Sequence, residues 1–186
     1  MGILAEDQIV MRQVRTFIDD DYTITTPDGR DVGQVATLGG LGTRFLLGNR
    51  SLQATDMDGT LVVRADDPVG IGRDRFTLTT PAGHLADILK KIRFMTRNLA
   101  ITLADGRELM CRGSVFDFDF SITDAAGGVT YASVSRNLGN VASFLLAKEN
   151  FLVSFDPAAD RDVRAAVIGT LLAVDMIRRK ERRAAS

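Results

Sequence analysis

Asp160-Arg161-Asp162-Val163-Arg164-Ala165-Ala166-Val167-Ile168-Gly169-Thr170-Leu171-Leu172-Ala173-Val174-Asp175-Met176-Ile177 is the stretch that decides how the chain folds. Carboxylates open it, where they suit the positive pole of a helix, and Asp160 is placed to cap the first free N–H groups. Arg178, Arg179 and Lys180 follow at the negative pole. No residue between Arg164 and Asp175 is charged, so the helix is apolar on nearly all sides. Such a helix lies inside a protein or a membrane. A membrane span needs roughly 20 apolar residues, and this run has about half of that. A core helix over 160–178 is therefore expected. At ~1.5 Å per residue it measures about 27 Å, the length of a strand of about eight residues. It could thread a β-barrel from end to end. Gly169 is unfavourable in a helix by about 1 kcal/mol against Ala, so a strand or bulky side chain should approach it closely. Asp175 needs a partner if buried. An Arg or backbone N–H groups near the barrel mouth are expected to supply it.

The chain before this helix reads as strands and turns. After a loose lead-in over residues 1–8 and a first strand over 9–14, one unit recurs five times. It is a β-rich run, a turn containing glycine, and a second β-rich run. The turn glycines are Gly29, Gly59, Gly83, Gly106 and Gly127, residues that supply the positive φ tight hairpins need. Ten hairpin strands, with 9–14 and 150–155, make about twelve. An open sheet of that width curls, and closure removes its exposed edges. The expected fold is mainly β: a closed antiparallel β-barrel of about twelve strands around a central hydrophobic C-terminal helix. It forms one domain over 8–178, followed by a basic tail over 179–186. Three links look longer. Residues 39–45 are glycine-rich, but no helix pattern follows, so they are not read as a phosphate loop. Residues 90–97 mix basic and apolar side chains. Residues 138–147 are unusually apolar for a connection.

At 186 residues the chain can bury a real core. Its net charge of −1 gives no global field toward nucleic acid, and no nucleic-acid partner is expected. The charge is uneven: residues 178–186 carry +4, leaving −5 elsewhere. A single cysteine, Cys111, rules out an internal disulfide and fits a reducing compartment. The first fourteen residues hold Glu6, Asp7 and Arg12 and no long apolar run, so no signal peptide is expected. Met1-Gly2 opens like a myristoylation site, but Glu6 stands where Ser or Thr is needed. A cytoplasmic location is expected, with at most peripheral contact with membrane.

Asp20-Asp21-Tyr22-Thr23-Ile24, Asp56-Met57-Asp58-Gly59 and the ending from Asp162 to Asp175 resemble the LURP-one-related proteins. The ending is also similar to the phospholipid scramblase family. Both belong with the tubby C-terminal fold, a closed barrel around a hydrophobic C-terminal helix. The resemblance covers about residues 8–178 and implies the same fold. It also implies a choice of activities: tubby domains bind phosphoinositides, and scramblases are tied to Ca²⁺-dependent lipid movement.

No catalytic set stands out. With His84 as the one histidine and Cys111 as the one cysteine, no Cys/His zinc site forms within one chain. No cofactor is implied. Three acidic clusters offer oxygen ligands for Ca²⁺: Asp56 with Asp58; Asp117, Asp119 and Asp124; Asp156, Asp160 and Asp162. None has the spacing of a twelve-residue calcium loop, and turn formation and helix capping account for them. Lys90, Lys91, Arg93 and Arg97, with Arg178, Arg179 and Lys180, are the candidate lipid- or anion-binding residues. The expectation is a non-enzymatic binding or scaffold module that contacts anionic phospholipid or a protein partner. The alternative is Ca²⁺-dependent lipid transport of the scramblase kind.

Overall fold

A computed structural model describes residues 2–15, 20–38, 50–68, 75–93, 96–136 and 150–184. Within these, the side chains of 13–15, 20–21, 50, 91–93, 96–98, 116 and 182–184 lie outside the description. Strands alternate buried and less buried residues, as in Phe151–Phe155, where Phe151, Val153 and Phe155 are buried and Leu152 and Ser154 half-buried. The twelve strands are β1 Gln8–Arg15, β2 Asp20–Thr25, β3 Asp31–Leu38, β4 Arg50–Asp56, β5 Leu61–Asp67, β6 Arg75–Thr80, β7 Gly83–Arg93, β8 Thr96–Leu103, β9 Glu108–Ser114, β10 Asp119–Asp124, β11 Thr130–Ser135 and β12 Phe151–Phe155. Each pairs antiparallel with its neighbour in sequence. β1 also pairs with β12, Gln8 opposite Ser154 and Met11 opposite Phe151, and the sheet closes into a barrel.

The five predicted turn glycines all take positive φ, from 82° at Gly127 to 114° at Gly83. Three of the turns share one pattern. Gly59 N–H donates to the Asp56 carbonyl while Asp56 N–H donates to the Thr60 carbonyl across the turn; the turns at Gly29 and Gly106 repeat this. All five turns lie at one end of the barrel, called here the glycine-turn end.

Helix α1, Arg161–Ala184, fills the lumen. Asp160 caps it: Oδ1 accepts from Val163 N–H at 2.9 Å, and Oδ2 meets Arg107 Nη1 at 2.7 Å. Every residue from 165 to 177 is buried. A Cβ on Gly169 would lie 2.6 Å from Leu78 Cδ1 on β6, the close approach that this residue type predicted. The helix enters at the glycine-turn end and leaves between the other strand ends, the helix-exit end.

Three expectations are corrected. First, residues 179–184 are not a tail, because α1 runs on through them to Ala184. Ion pairs to the barrel wall, described below, fix these turns. Second, residues 90–97 are not a long link. β7 runs to Arg93 and β8 starts at Thr96, with Arg93 opposite Thr96, so ladder pairing continues almost to the tip. Third, the lead-in is not loose. Ile3–Ala5 form a 3-10 turn with Ile3 fully buried. Asp56 Oδ1 accepts from Ile3 N–H at 2.7 Å, and Arg164 donates to the Glu6 carbonyl at 2.8 Å. Ile3 lies over Gly33, where a Cβ would sit 2.4 Å from Ile3 Cδ1. Residues 39–45 and 138–147 lie outside the described residues.

Candidate functional site

Charge sorts itself along the barrel axis. The glycine-turn end gathers Asp28, Asp56, Asp58, Asp105, Asp124 and Asp156 in its turns, and Asp160 and Asp162 at the start of α1. Four of these carboxylates serve their own turns, while Asp56 holds Ile3 and Asp160 caps α1. Asp58 accepts from Thr60 N–H, Asp105 from Arg107 N–H, Asp124 from Gly128 N–H and Asp156 from Ala158 N–H. Among the described residues no three His, Cys, Asp or Glu side chains converge as metal ligands.

The helix-exit end gathers the basic residues that sequence singled out. Lys90 is buried on β7, and its Nζ lies 3.2 Å from Glu181 Oε1 of α1. Lys180 Nζ reaches Asp67 Oδ2 at 2.7 Å; Asp67 is buried at the end of β5. Arg179 Nε lies 2.5 Å from Asp175 Oδ2, without the alignment of a hydrogen bond. Arg178 places its guanidinium carbon 4.7 Å from the centroid of the Phe118 ring. Lys91, Arg93 and Arg97 sit in the β7–β8 ladder opposite Asn98, Thr96 and Ile92; their side chains lie outside the described residues. The fold therefore brings both basic stretches to one end. It uses Lys90 and Lys180 partly to fasten α1 to the wall, while Arg179 pairs with Asp175 within the helix.

Asp175 is buried as expected, with two partners rather than one. Tyr22 Oη donates to its Oδ1 at 2.8 Å, beside the Arg179 contact. Burial, with the Asp175 charge second, pushes the Tyr22 phenol far above its ordinary range, so it stays a donor. The Arg179 partner was readable from its i,i+4 spacing. Tyr22 was readable only as part of a family motif.

Phe118 is the residue sequence reasoning missed. It has φ 52° and ψ 46°, the left-handed region, and is the one non-glycine residue with positive φ among the described residues. It is 2% exposed and stacks on Phe151 with centroids 4.2 Å apart and planes 7° from parallel. Arg178 and Arg136 both lie over its ring, at 4.7 and 5.4 Å. Nothing in Asp117-Phe118-Asp119 signals a positive φ, since the residues that favour it are Gly, Asn and Asp.

Cys111 is sealed in the core, and desolvation pushes its thiol well above its ordinary range, away from nucleophilic use. His84 is half exposed and sits 3.5 Å from Asp87.

A family model described as LURP-one-related matches residues 7–172. The chain belongs to the LURP-one-related family. This is the family its motifs at 20–24, 56–59 and 162–175 resemble. No curated protein matches the chain. The X-ray structure of a protein from Arabidopsis thaliana is similar at 17% identity, covering 96% of this LURP-one-related chain and 99% of that one, with a TM-score of 0.59. At that identity the likeness shows the fold alone. No helix among the described residues is long and apolar enough to cross a membrane.

Proposed function

We propose that this LURP-one-related barrel is a non-catalytic binding module that meets anionic phospholipid at its helix-exit end, as a peripheral membrane protein. One observation carries the reading. Two basic stretches far apart in sequence meet at one end of the barrel, and Lys90 and Glu181, 91 positions apart, touch where they meet. The opposite end is acidic. A body polarised in this way is turned by an anionic surface so that its basic end faces the surface. Each Lys or Arg near such a surface contributes about 1 kcal/mol, screened within a Debye length.

Sedimentation with vesicles of neutral, anionic and phosphoinositide composition, with and without Ca²⁺, tests this. Bound protein should rise with anionic content and fall with salt. Arg93→Glu with Arg97→Glu should weaken binding, whereas Arg30→Glu at the glycine-turn end should not. Failure to sediment with any vesicle would sink the lipid reading and turn the search to a protein partner. Scramblase-type transport predicts Ca²⁺-stimulated lipid movement instead. The enclosure of α1 within the barrel favours the peripheral module over it.

A further inference from the structure

We propose that Gly2–Asp7 form a strap that locks the barrel seam onto the helix, with Arg164 as its latch. At its first end the strap reaches β4, where Asp56 Oδ1 accepts from Ile3 N–H at 2.7 Å. Ile3 is fully buried over Gly33 of β3, and a Cβ there would meet Ile3 Cδ1 at 2.4 Å. At its other end the strap reaches β12, where the Asp7 carbonyl accepts from Phe155 N–H at 2.8 Å. That bond lies one step beyond Gln8 opposite Ser154, where the β1–β12 seam begins. Between the ends, Ala5 N–H donates to the Gly2 carbonyl and Glu6 N–H to that of Ile3.

Arg164 stands on the first turn of α1 and gathers these parts. Its Nη1 donates to the Glu6 carbonyl at 2.8 Å, its Nη2 to Asp7 Oδ1 at 3.0 Å and its Nε to the Ala159 carbonyl at 3.0 Å. The guanidinium carbon lies 5.1 Å from the centroid of the Phe155 ring. The side chain is 11% exposed, so these charge-assisted bonds are largely shielded from water, where they are strongest. One guanidinium thus ties the strap to both the helix and the last strand. No strap residue belongs to a strand, so the strap can lift while all twelve strands stay paired. A segment fastened in this way opens as a unit, below the cost of unfolding the barrel. The open state uncovers the Ile3 socket, the seam end at Phe155 and the start of α1. Two of the anchors, Phe155 and Arg164, come from the last strand and the helix, so the strap closes only over a seated α1. The device lies at the glycine-turn end and does not depend on what the basic end binds.

Amide exchange of the full chain, followed by NMR across low urea concentrations, tests this. The Ile3, Ala5, Glu6 and Phe155 amides report docking. In the parent chain they should share one protection factor that barely changes with urea, because lifting a short strap exposes little surface. The amides of 167–173 in the buried helix should instead lose protection steeply with urea, because they need global unfolding. Arg164→Met should lower the four strap values together by about tenfold or more. Ile3→Ala should do the same, including at Phe155, on the far end of the strap. Arg161→Gln, an exposed position on the same turn, should stay within about twofold of the parent. Strap amides that follow the urea slope of 167–173 would overturn the proposal, because no separate open state then exists. So would an Arg164→Met chain whose four values stay within about twofold of the parent, or an Ile3→Ala chain in which Phe155 holds while the amide at position 3 loosens. The parent's urea slopes decide the matter alone if Arg164→Met does not fold.

Discussion

Gly169 sits where an added methyl would land 2.6 Å from Leu78 Cδ1 and 2.8 Å from Leu78 Cδ2. Two effects oppose each other there. Alanine favours helix by about 1 kcal/mol over glycine. Forcing a methyl into a packed core costs about 1–3 kcal/mol. Leu78 is fully buried and has no room to retreat, so crowding wins. Gly169→Ala should lower stability by about 1 kcal/mol, read as a lower urea midpoint at unchanged slope. A stabilised variant would mean that Leu78 does give way. The glycine was legible because a poor helix former inside an apolar helix demands a packing reason. Phe118 was illegible for the opposite reason. Its conformation comes from Phe151, Arg178 and Arg136, which meet it only after folding, and no local residue preference points that way.

Among the elements, α1 shows how far periodicity reaches. Its apolar run fixed its place in the lumen, and Asp160 marked its start. Its end was not legible, because 179–184 is charged and reads as a solvated tail. The signal that keeps it helical lies elsewhere, on the wall: Asp67 of β5 holds Lys180, and Lys90 of β7 holds Glu181. Those pairings join residues that no short window contains. Lys180→Met should leave the buried Asp67 carboxylate short of a donor and cost about 2 kcal/mol. Amide exchange should speed up over 178–184 while the turns around Gly169 keep their protection. Uniform acceleration along α1 would mean that this ion pair does not anchor the exit turns. The β7–β8 hairpin carries the same lesson. Basic side chains broke the apolar alternation after Lys90, yet the ladder runs on to Arg93, because backbone pairing with β8 does not depend on side-chain polarity.

For the molecule as a whole, pH tests the charge layout. Four carboxylates at the glycine-turn end lie below their ordinary value near 3.8. Thr26 chiefly lowers Asp28, the Thr60 N–H lowers Asp58, and the Arg107 N–H lowers Asp105. For Asp160, partial desolvation pulls upward and is outweighed by the Val163 N–H and Arg107. A depressed carboxylate lends stability above its unfolded value and loses it as pH falls, so the melting temperature should drop below about pH 4. Cys111 and Tyr22 are raised, both chiefly by burial, from ordinary values of 9.0 and 10.0. The folded state then holds protons that the unfolded chain releases, and stability should decline as pH rises past about 9. Cys111→Ala should move the onset of that decline toward about 10, measured as melting temperature against pH. An unmoved onset would assign the alkaline loss to other groups. The barrel itself was legible because hairpins are local and glycine marks each turn. Its seam was a deduction about edges rather than a reading of residues. That seam and the plug together have a consequence for biosynthesis. Gln8 and Ser154, 146 positions apart, meet across the β1–β12 junction, and α1 follows every strand in the chain. A growing chain therefore carries an unfilled, apolar-lined sheet until α1 leaves the ribosome. Synthesis proceeds at roughly 5–20 residues per second. The nascent wall thus waits seconds for its core, an interval in which its apolar strands and unpaired edges stay exposed to aggregation.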